Sequence, residues 1–203
     1  MLTVAIQAGG QSRRMGADKG LVPLRGMPLI EHLIGRVSGL GDELLITTNN
    51  PSGYAYLGLP LASDPSPGGG ALVGLHTALS AAHGEQVLVL ACDMPFVQRP
   101  LLIHLLTLSS EAEIVIPRRA GEFEPLHAVY ARSCLSAVQD ALEGGEKRMI
   151  SFFPRVRVLP VEEEELRRFD PHGLSFFNIN TPLDLTHAER MIDRGPRTTD
   201  DGR

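Results

Sequence analysis

The stretch Leu2 to Gly20, LTVAIQAGGQSRRMGADKG, decides how the rest of the chain is read. It opens with a short apolar run, Leu2 to Ile6, of strand length and with β-branched residues at Thr3, Val4 and Ile6. The apolar character then stops, and Gly9 and Gly10 begin a loop that carries Arg13, Arg14 and Lys19. A buried strand that empties into such a loop suits a polyphosphate. Glycines let backbone N–H groups approach phosphate oxygens, and the cations neutralise them. Two well-known phosphate patterns are excluded: Lys19 follows Asp18, so there is no Walker ending, and adjacent Gly9 and Gly10 break the G-x-G-x-x-G spacing. On residue types alone, a tight turn with a solvated basic rim fits equally well.

Outward from this loop the chain alternates helix and strand patterns. Leu29, Ile30, Leu33, Ile34, Val37 and Leu40 recur at helical spacing, with Pro28 suited to a first helical position. Glu43 to Thr48 reads as a second strand, closed by Asn49-Asn50-Pro51, and Ser52 to Pro60 reads as irregular. Strand, helix, strand over this length is a βαβ unit, which crosses over right-handedly into a parallel sheet. Asp64 to Gly70 holds two prolines and three glycines, so it is no regular element. It leads into a helix bearing Leu72, Leu75, Leu79 and Ala82. Gln86 to Ala91 is almost continuously apolar, the mark of a central parallel strand.

A helix over about 99–108 and a strand over 113–117 complete another repeat. The polar connection 118–124 and the strand pattern 126–131 then predict an antiparallel hairpin, forming a mixed edge or a local β insertion. Helices over 133–142 and 147–153, a strand over 156–161 and a solvated turn over 162–168 follow. Thr181-Pro182-Leu183-Asp184 has capping-box spacing and opens a last helix. The expected fold is a three-layer α/β/α sandwich with a mostly parallel, Rossmann-like sheet and one antiparallel element. Residues 1–194 read as a single domain and 195–203 as a frayed polar tail.

Composition narrows the function classes. The 203 residues, 43% hydrophobic and 21% charged, fit one domain that buries about 70% of its unfolded surface. No apolar run approaches the roughly 20 residues of a membrane span, and no signal-peptide design precedes the glycines. A cytoplasmic protein is expected. Cys92 and Cys134 show neither metal-ligand nor disulfide spacing and read as buried apolar groups. A net charge of −5 argues against nucleic-acid binding, so the cations at 13, 14 and 19 form a local cluster.

In an open α/β sheet, ligands bind outside the carboxyl ends of the strands. The loops carrying residues 7–19 and 47–50 and Asp93 should therefore converge. Asp93 ends a fully apolar strand, where a lone carboxylate is costly to bury; it either caps a helix or binds a cation. Asp64 in its Pro/Gly loop has the chemistry of an ordinary turn residue. Asn178 and Asn180 flank Ile179 and would face one way in an extended segment. The acidic run Glu162 to Glu165 is a solvated face.

The ordered set of motifs narrows these alternatives. AGGxSxRMGxDKxL resembles the signature of the nucleotidyltransferases that attach a nucleotide to the molybdenum cofactor, the guanylyltransferases most closely. The resemblance returns at PGGGALVGL (67–75), CDMPF (92–96), EPLHAVY (124–130), GGEKRM (144–149) and FNINTP (177–182). It implies nucleotide contacts from Gln7, Ala8, Gly9, Gly10, Arg14, Lys19, Thr47, Asp64 and Asp93. It makes Asp93 the ligand of Mg²⁺, with Asn180 in reserve, and gives Lys19 and Asp93 the catalytic work. It also places His127 in the region used around the pterin, where a strand histidine is more often structural. Arg148 either reaches a substrate phosphate or is an ordinary exposed arginine.

The reaction implied is transfer of GMP from GTP to the terminal phosphate of the molybdopterin cofactor, releasing pyrophosphate. The nucleophile is an ionised phosphate, so no general base is required, which agrees with the absence of a triad. Molybdoenzymes or a cofactor-delivery protein are further expected partners. Two positions depart from the family pattern. Gln7 stands where an aliphatic residue is usual, and Thr47 where asparagine is. A cytidylyltransferase on the same cofactor is the enzyme alternative, against which Ala8-Gly9-Gly10 and Asp18-Lys19 speak. A silent nucleotide-binding regulator is the other alternative, against which retention of Lys19 and Asp93 speaks.

Overall fold

The computed structural model of the chain describes residues 1–8, 11–12, 17–64 and 69–194. Strand β1 (Leu2–Gln7) is followed by β2 (Glu43–Thr47), the two-residue β3 (Leu61–Ala62) and β4 (Gln86–Ala91). β1 lies between β2 and β4, parallel to both, and β3 extends β2 in parallel. In register, Gln7 pairs with Thr47 on one side and Ala91 on the other. The three strands therefore end level, and the loops that leave them open on one side of the sheet.

The remaining strands are β5 (Ile114–Arg119), β6 (Glu122–Phe123), β7 (His127–Ala131) and β8 (Val158–Glu162). β6 folds back on β5, and β8 runs parallel to β5. β7 is antiparallel to both β4 and β5 and sits between them, giving the order β5-β7-β4-β1-β2-β3. The expected antiparallel element is thus present, as an insertion of β7 into the sheet interior, with the short antiparallel β6 at the edge. His127–Ala131 is buried but for Ala131, so it has the apolar content of a central strand. A short connection reveals strand direction but not which neighbour lies beyond.

Helices cover both faces. They are α1 (Leu29–Val37), α2 (Pro51–Tyr54), α3 (Ala71–Ala81), α4 (Arg99–Thr107), α5 (Leu135–Glu143), α6 (Glu163–Leu166) and α7 (Pro182–Arg194). Alternation along the strands sends Val4, Ile6, Leu88, Leu90, Val115 and Val129 to one layer, against Ile30 and Leu33 of α1 and Leu101, Leu102 and Leu105 of α4. Ala5, Val87, Val89, Ile114 and Tyr130 face the other layer, against Leu72, Leu75 and Leu79 of α3 and Val138 of α5. Each fully buried leucine contributes about 1.5–3 kcal/mol, and truncation to alanine in such a core costs about 2–5 kcal/mol. A third cluster of Val22, Leu24, Leu29, Phe96, Ile179 and Ala188 fastens α7 to the segment that follows the first loop.

Three local expectations are corrected. Pro28 precedes α1 as its N-cap, because Pro23–Leu24 and Met27–Pro28 form a two-residue ribbon turning at Arg25 (φ 53°) and Gly26 (φ 82°). Residues 51–57 are helical rather than irregular. Asn50 caps α2 by accepting from the Gly53 N–H at 3.3 Å, and Pro51 fits the first turn. Residues 147–153 form consecutive turns rather than a helix, closed by i,i+3 bonds from Ser151 N–H to Arg148 O and from Phe153 N–H to Ile150 O. Gly145 (φ 77°) and Pro154 bound the segment on its two sides. The capping box is present at α7: Asp184 N–H donates to Thr181 Oγ1 (3.2 Å), and Thr181 N–H donates to Asp184 Oδ2 (2.8 Å). Both cysteines are free and buried. Among the described residues, no helix is long and apolar enough to cross a membrane.

Candidate active site at the strand ends

The loops after β1, β2 and β4 are stitched to one another by main-chain bonds. Ala8 N–H donates to Thr47 O (2.8 Å), and Cys92 N–H donates to Gln7 O (3.1 Å). The Thr48 hydroxyl donates to Ala8 O (3.3 Å). These bonds extend the sheet one residue past each strand, so Ala8, Thr48 and Asp93 emerge from a rigid edge. Asp93 also receives Ile179 N–H on its carbonyl at 3.0 Å, which brings residues 178–180 alongside the end of β4.

Lys19 completes the junction. It starts a single 3-10 turn, Lys19–Leu21, whose N-cap is Asp18. Its Nζ donates to Asp93 Oδ2 at 2.9 Å and to Asn180 Oδ1 at 2.5 Å. The Asp93 side chain is 12% exposed and that of Lys19 22%. The Asp93 carboxylate is thus paired with the Lys19 ammonium. The pair is mostly shielded but sits at the mouth of the sheet, so a member left without its partner can still be reached by water. The neighbouring Cys92 thiol is pushed well above its usual range, by burial first and then by the Asp93 carboxylate. It is thus a buried thiol rather than a nucleophile.

Asp64 is held from two sides. Thr77 of α3 donates its hydroxyl to Asp64 Oδ1 (2.8 Å), and Asn49 Nδ2 donates to Oδ2 (2.9 Å). The Asp64 N–H in turn donates to Asn49 Oδ1 at 3.2 Å. Thr47 is buried, and it meets the loop after β1 through its carbonyl. Gln7 ends β1 with its side-chain amide nitrogen buried and, among the described residues, without a hydrogen-bond partner. Its carboxamide lies over α3, where a Cβ on Gly74 would come within 2.8 Å of Gln7 Oε1. Glycine at 74 is what lets the helix approach this close.

Gly9, Gly10, Arg13, Arg14, residues 65–68 and the tail 195–203 lie outside the described residues. Asn180 is exposed and joins the Lys19 cluster, whereas Asn178 has a buried side-chain oxygen without a partner among the described residues, so the two do not share one environment. Arg148 is exposed, and among the described residues no side-chain hydrogen bond links it to the cluster. The converging loop 47–50 includes Asn49, but its bonds to Asp64 are not legible in the sequence, nor is Asp18 as a cap, and nothing in the sequence marks Thr77 or Tyr54 as polar partners of loops far away in the chain.

His127 is not part of this junction. It opens β7, is completely buried with neither ring nitrogen partnered among the described residues, and packs its ring 4.9 Å from that of Phe176. Burial lowers its pKa to about 4, helped by the Arg119 guanidinium and opposed by the Asp170 carboxylate. It is neutral at physiological pH, and its surroundings make it a structural residue.

With the geometry in hand, likeness to known proteins is specific. Residues 4–158 match the MobA-like NTP transferase domain. A protein of Pelotomaculum thermopropionicum named probable molybdenum cofactor guanylyltransferase is 37% identical over 191 residues, 94% of this chain and 93% of that one. A molybdenum cofactor guanylyltransferase of Desulfosudis oleivorans is 34% identical, covering 96% and 97%. The crystal structure of molybdopterin-guanine dinucleotide biosynthesis protein A from Archaeoglobus fulgidus superposes with a TM-score of 0.83. It is 32% identical, covering 95% of this chain and 99% of that one.

Proposed function

The chain belongs to the MobA-like NTP transferase family, and from that membership we propose that it transfers GMP from GTP to the terminal phosphate of the molybdopterin cofactor. In this reaction a phosphate oxygen of the pterin attacks the α-phosphorus of GTP. The new P–O bond forms as the bond to the β-phosphate oxygen breaks, and pyrophosphate leaves with the electron pair. The attacking oxygen is already ionised, so no proton has to be removed.

The observation that carries this reading is the meeting of Lys19, Asp93 and Asn180 on one point at the strand ends. Two hard oxygen atoms already converge there on a cation, the ammonium of Lys19. A carboxylate plus an amide oxygen is also a donor set suited to Mg²⁺, which binds one or two carboxylates and takes its other oxygens from phosphates and water. Asp93 would hold the metal, with Asn180 Oδ1 beside it. The ion supplies charge neutralisation on the phosphates and the departing pyrophosphate.

The residues of the chain do the positioning. The Lys19 ammonium is the mobile charge that meets developing negative charge on the phosphates. Asp64, fixed by Thr77 and Asn49, presents an oriented carboxylate to the nucleotide. Thr47, the backbone of Ala8, the Gln7 carboxamide, Gly9, Gly10 and Arg14 complete the nucleotide contacts in this reading. Free cysteines fit a reducing cytoplasm, and molybdoenzymes or a delivery protein would receive the product.

Incubation with molybdopterin cofactor, Mg²⁺ and either GTP or CTP tests the proposal. Pyrophosphate release and a guanine dinucleotide from GTP alone are expected. A cytosine dinucleotide would convert the assignment to cytidylyl transfer, and nucleotide binding without pyrophosphate would leave a regulator.

A further inference from the structure

One turn of 3-10 helix is too short to hold the Lys19 side chain in place by its own hydrogen bonds. The restraint comes from outside the turn. Asp18, its N-cap, accepts from Gly20 N–H at 3.3 Å and from the Tyr54 hydroxyl, and Asn50 Nδ2 lies 3.5 Å from its other oxygen. Tyr54 is completely buried on α2, the short helix after β2, which Asn50 caps. The carboxylate next to the lysine is therefore held by a different loop of the sheet, through a hydrogen bond to a charged acceptor, roughly twice as strong as a neutral one. The fit is close. A Cβ on Gly20 would meet the phenol oxygen at 2.5 Å and two ring carbons at 3.2 and 3.3 Å. Burial and the nearby acidic groups push the phenol upward from its usual range, so it stays a donor.

We propose that Tyr54 is a positioning residue for Lys19: its buried hydroxyl, acting through Asp18, sets the turn from which the ammonium reaches Asp93, Asn180 and the substrate phosphates. This rests on the role given to Lys19 above. A strut of this kind matters because transition-state stabilisation depends on placement. A shift of about 1 Å in a charged group lowers rates by up to about 10²-fold. It also gives the segment after β2 a task that its sequence does not announce.

Tyr54→Phe removes one oxygen and leaves the ring in the core. It should lower kcat about tenfold and change KM for GTP less than about threefold, with the protein still fully folded at the assay temperature. A merely structural tyrosine would lose activity in any background, so the decisive measurement is a double-mutant cycle with Lys19→Ala. In Lys19→Ala, adding Tyr54→Phe should cost nothing more. A second cycle uses Gly20→Ala, which should be damaging in the wild type and no worse, or partly relieved, once the clashing oxygen is gone. Wild-type kcat in Tyr54→Phe, an undiminished loss in the Lys19→Ala background, or full additivity with Gly20→Ala would each overturn the strut. Wild-type turnover in Lys19→Ala would instead overturn the role of the lysine, and the strut with it.

Discussion

Two sites in the molecule treat their ionisable side chains in opposite ways. At the mouth of the sheet Lys19 and Asp93 form an ion pair, and Asn180 adds a second acceptor. Behind it, at the start of β7, His127 has no partner for either nitrogen among the described residues and stays neutral, because burial makes its protonation unfavourable. The first arrangement is poised to exchange one charged partner for another, as a phosphate-handling site must. The second has no charge to exchange and contributes shape. Polarity alone does not mark function; a charge kept available does.

The contrast is broken most severely by Asp93→Asn. It keeps the shape but removes the anionic oxygen that a hard dication prefers. Guanylyl transfer should fall by about 10³-fold, with melting in the absence of ligand little changed, since the ion pair lies at the mouth and not in the core. Transfer at wild-type rate at low Mg²⁺ would move the metal site elsewhere, Asn180 being next in line.

Proton uptake tests the other pole. The folded-state pKa of His127 lies below its unfolded value of 6.5, so below that pH the unfolded chain binds a proton that the native chain refuses. Its contribution is fully present above pH 6.5 and is lost as pH falls to about 4, by about 1.4 kcal/mol per pH unit and about 3 kcal/mol in all. Urea unfolding of the wild type and His127→Leu at several pH values should show a stability difference that moves against the wild type over this window. Parallel profiles would mean that the imidazole titrates normally.

Lys19→Ala sharpens the comparison from the mobile partner's side. Turnover should fall about 10²-fold. Stability should shift by no more than about 1 kcal/mol, because the carboxylate left behind lies near enough to solvent to rehydrate. Comparable losses in stability and turnover, read by calorimetry and pyrophosphate release, would make the pair a structural bridge. The smallest effect is expected from Thr77→Val, which frees one oxygen of Asp64. The KM for GTP should rise by about three- to tenfold with kcat nearly unchanged, corresponding to one hydrogen bond of about 1 kcal/mol. An unchanged KM would detach Asp64 from nucleotide binding.

Much of this was legible in the sequence where the physics is local. Strand alternation, the Thr181/Asp184 cap and the apolar run ending at Asp93 each depend on a few adjacent residues, and each is found in place. Lys19 and Asp93 were singled out by type and by position after a strand, and the structure brings them to 2.9 Å. What was illegible depends on contacts between distant segments. Tyr54 reaches back to Asp18, Thr77 reaches to Asp64, and β7 inserts between β4 and β5. A local pattern says that a strand exists and which faces it buries, but its neighbours are chosen by the whole sheet. The turns over 147–153 failed for a different reason: Met149, Phe152 and Phe153 have helical spacing, but consecutive i,i+3 turns present the same residues to the core.

The bond from Lys19 to Asn180 joins residues 161 positions apart. In time rather than distance, at about 5–20 residues per second of synthesis, the lysine waits on the order of ten seconds or more for its second acceptor. A nascent or prematurely ended chain that already holds the first loop and Asp93 still lacks Asn180, and it lacks α7, which packs against Leu24 and Leu29. Completion of the last helix is the event that finishes the junction, so the Lys19 cluster is assembled only after Asn180 and α7 have been made.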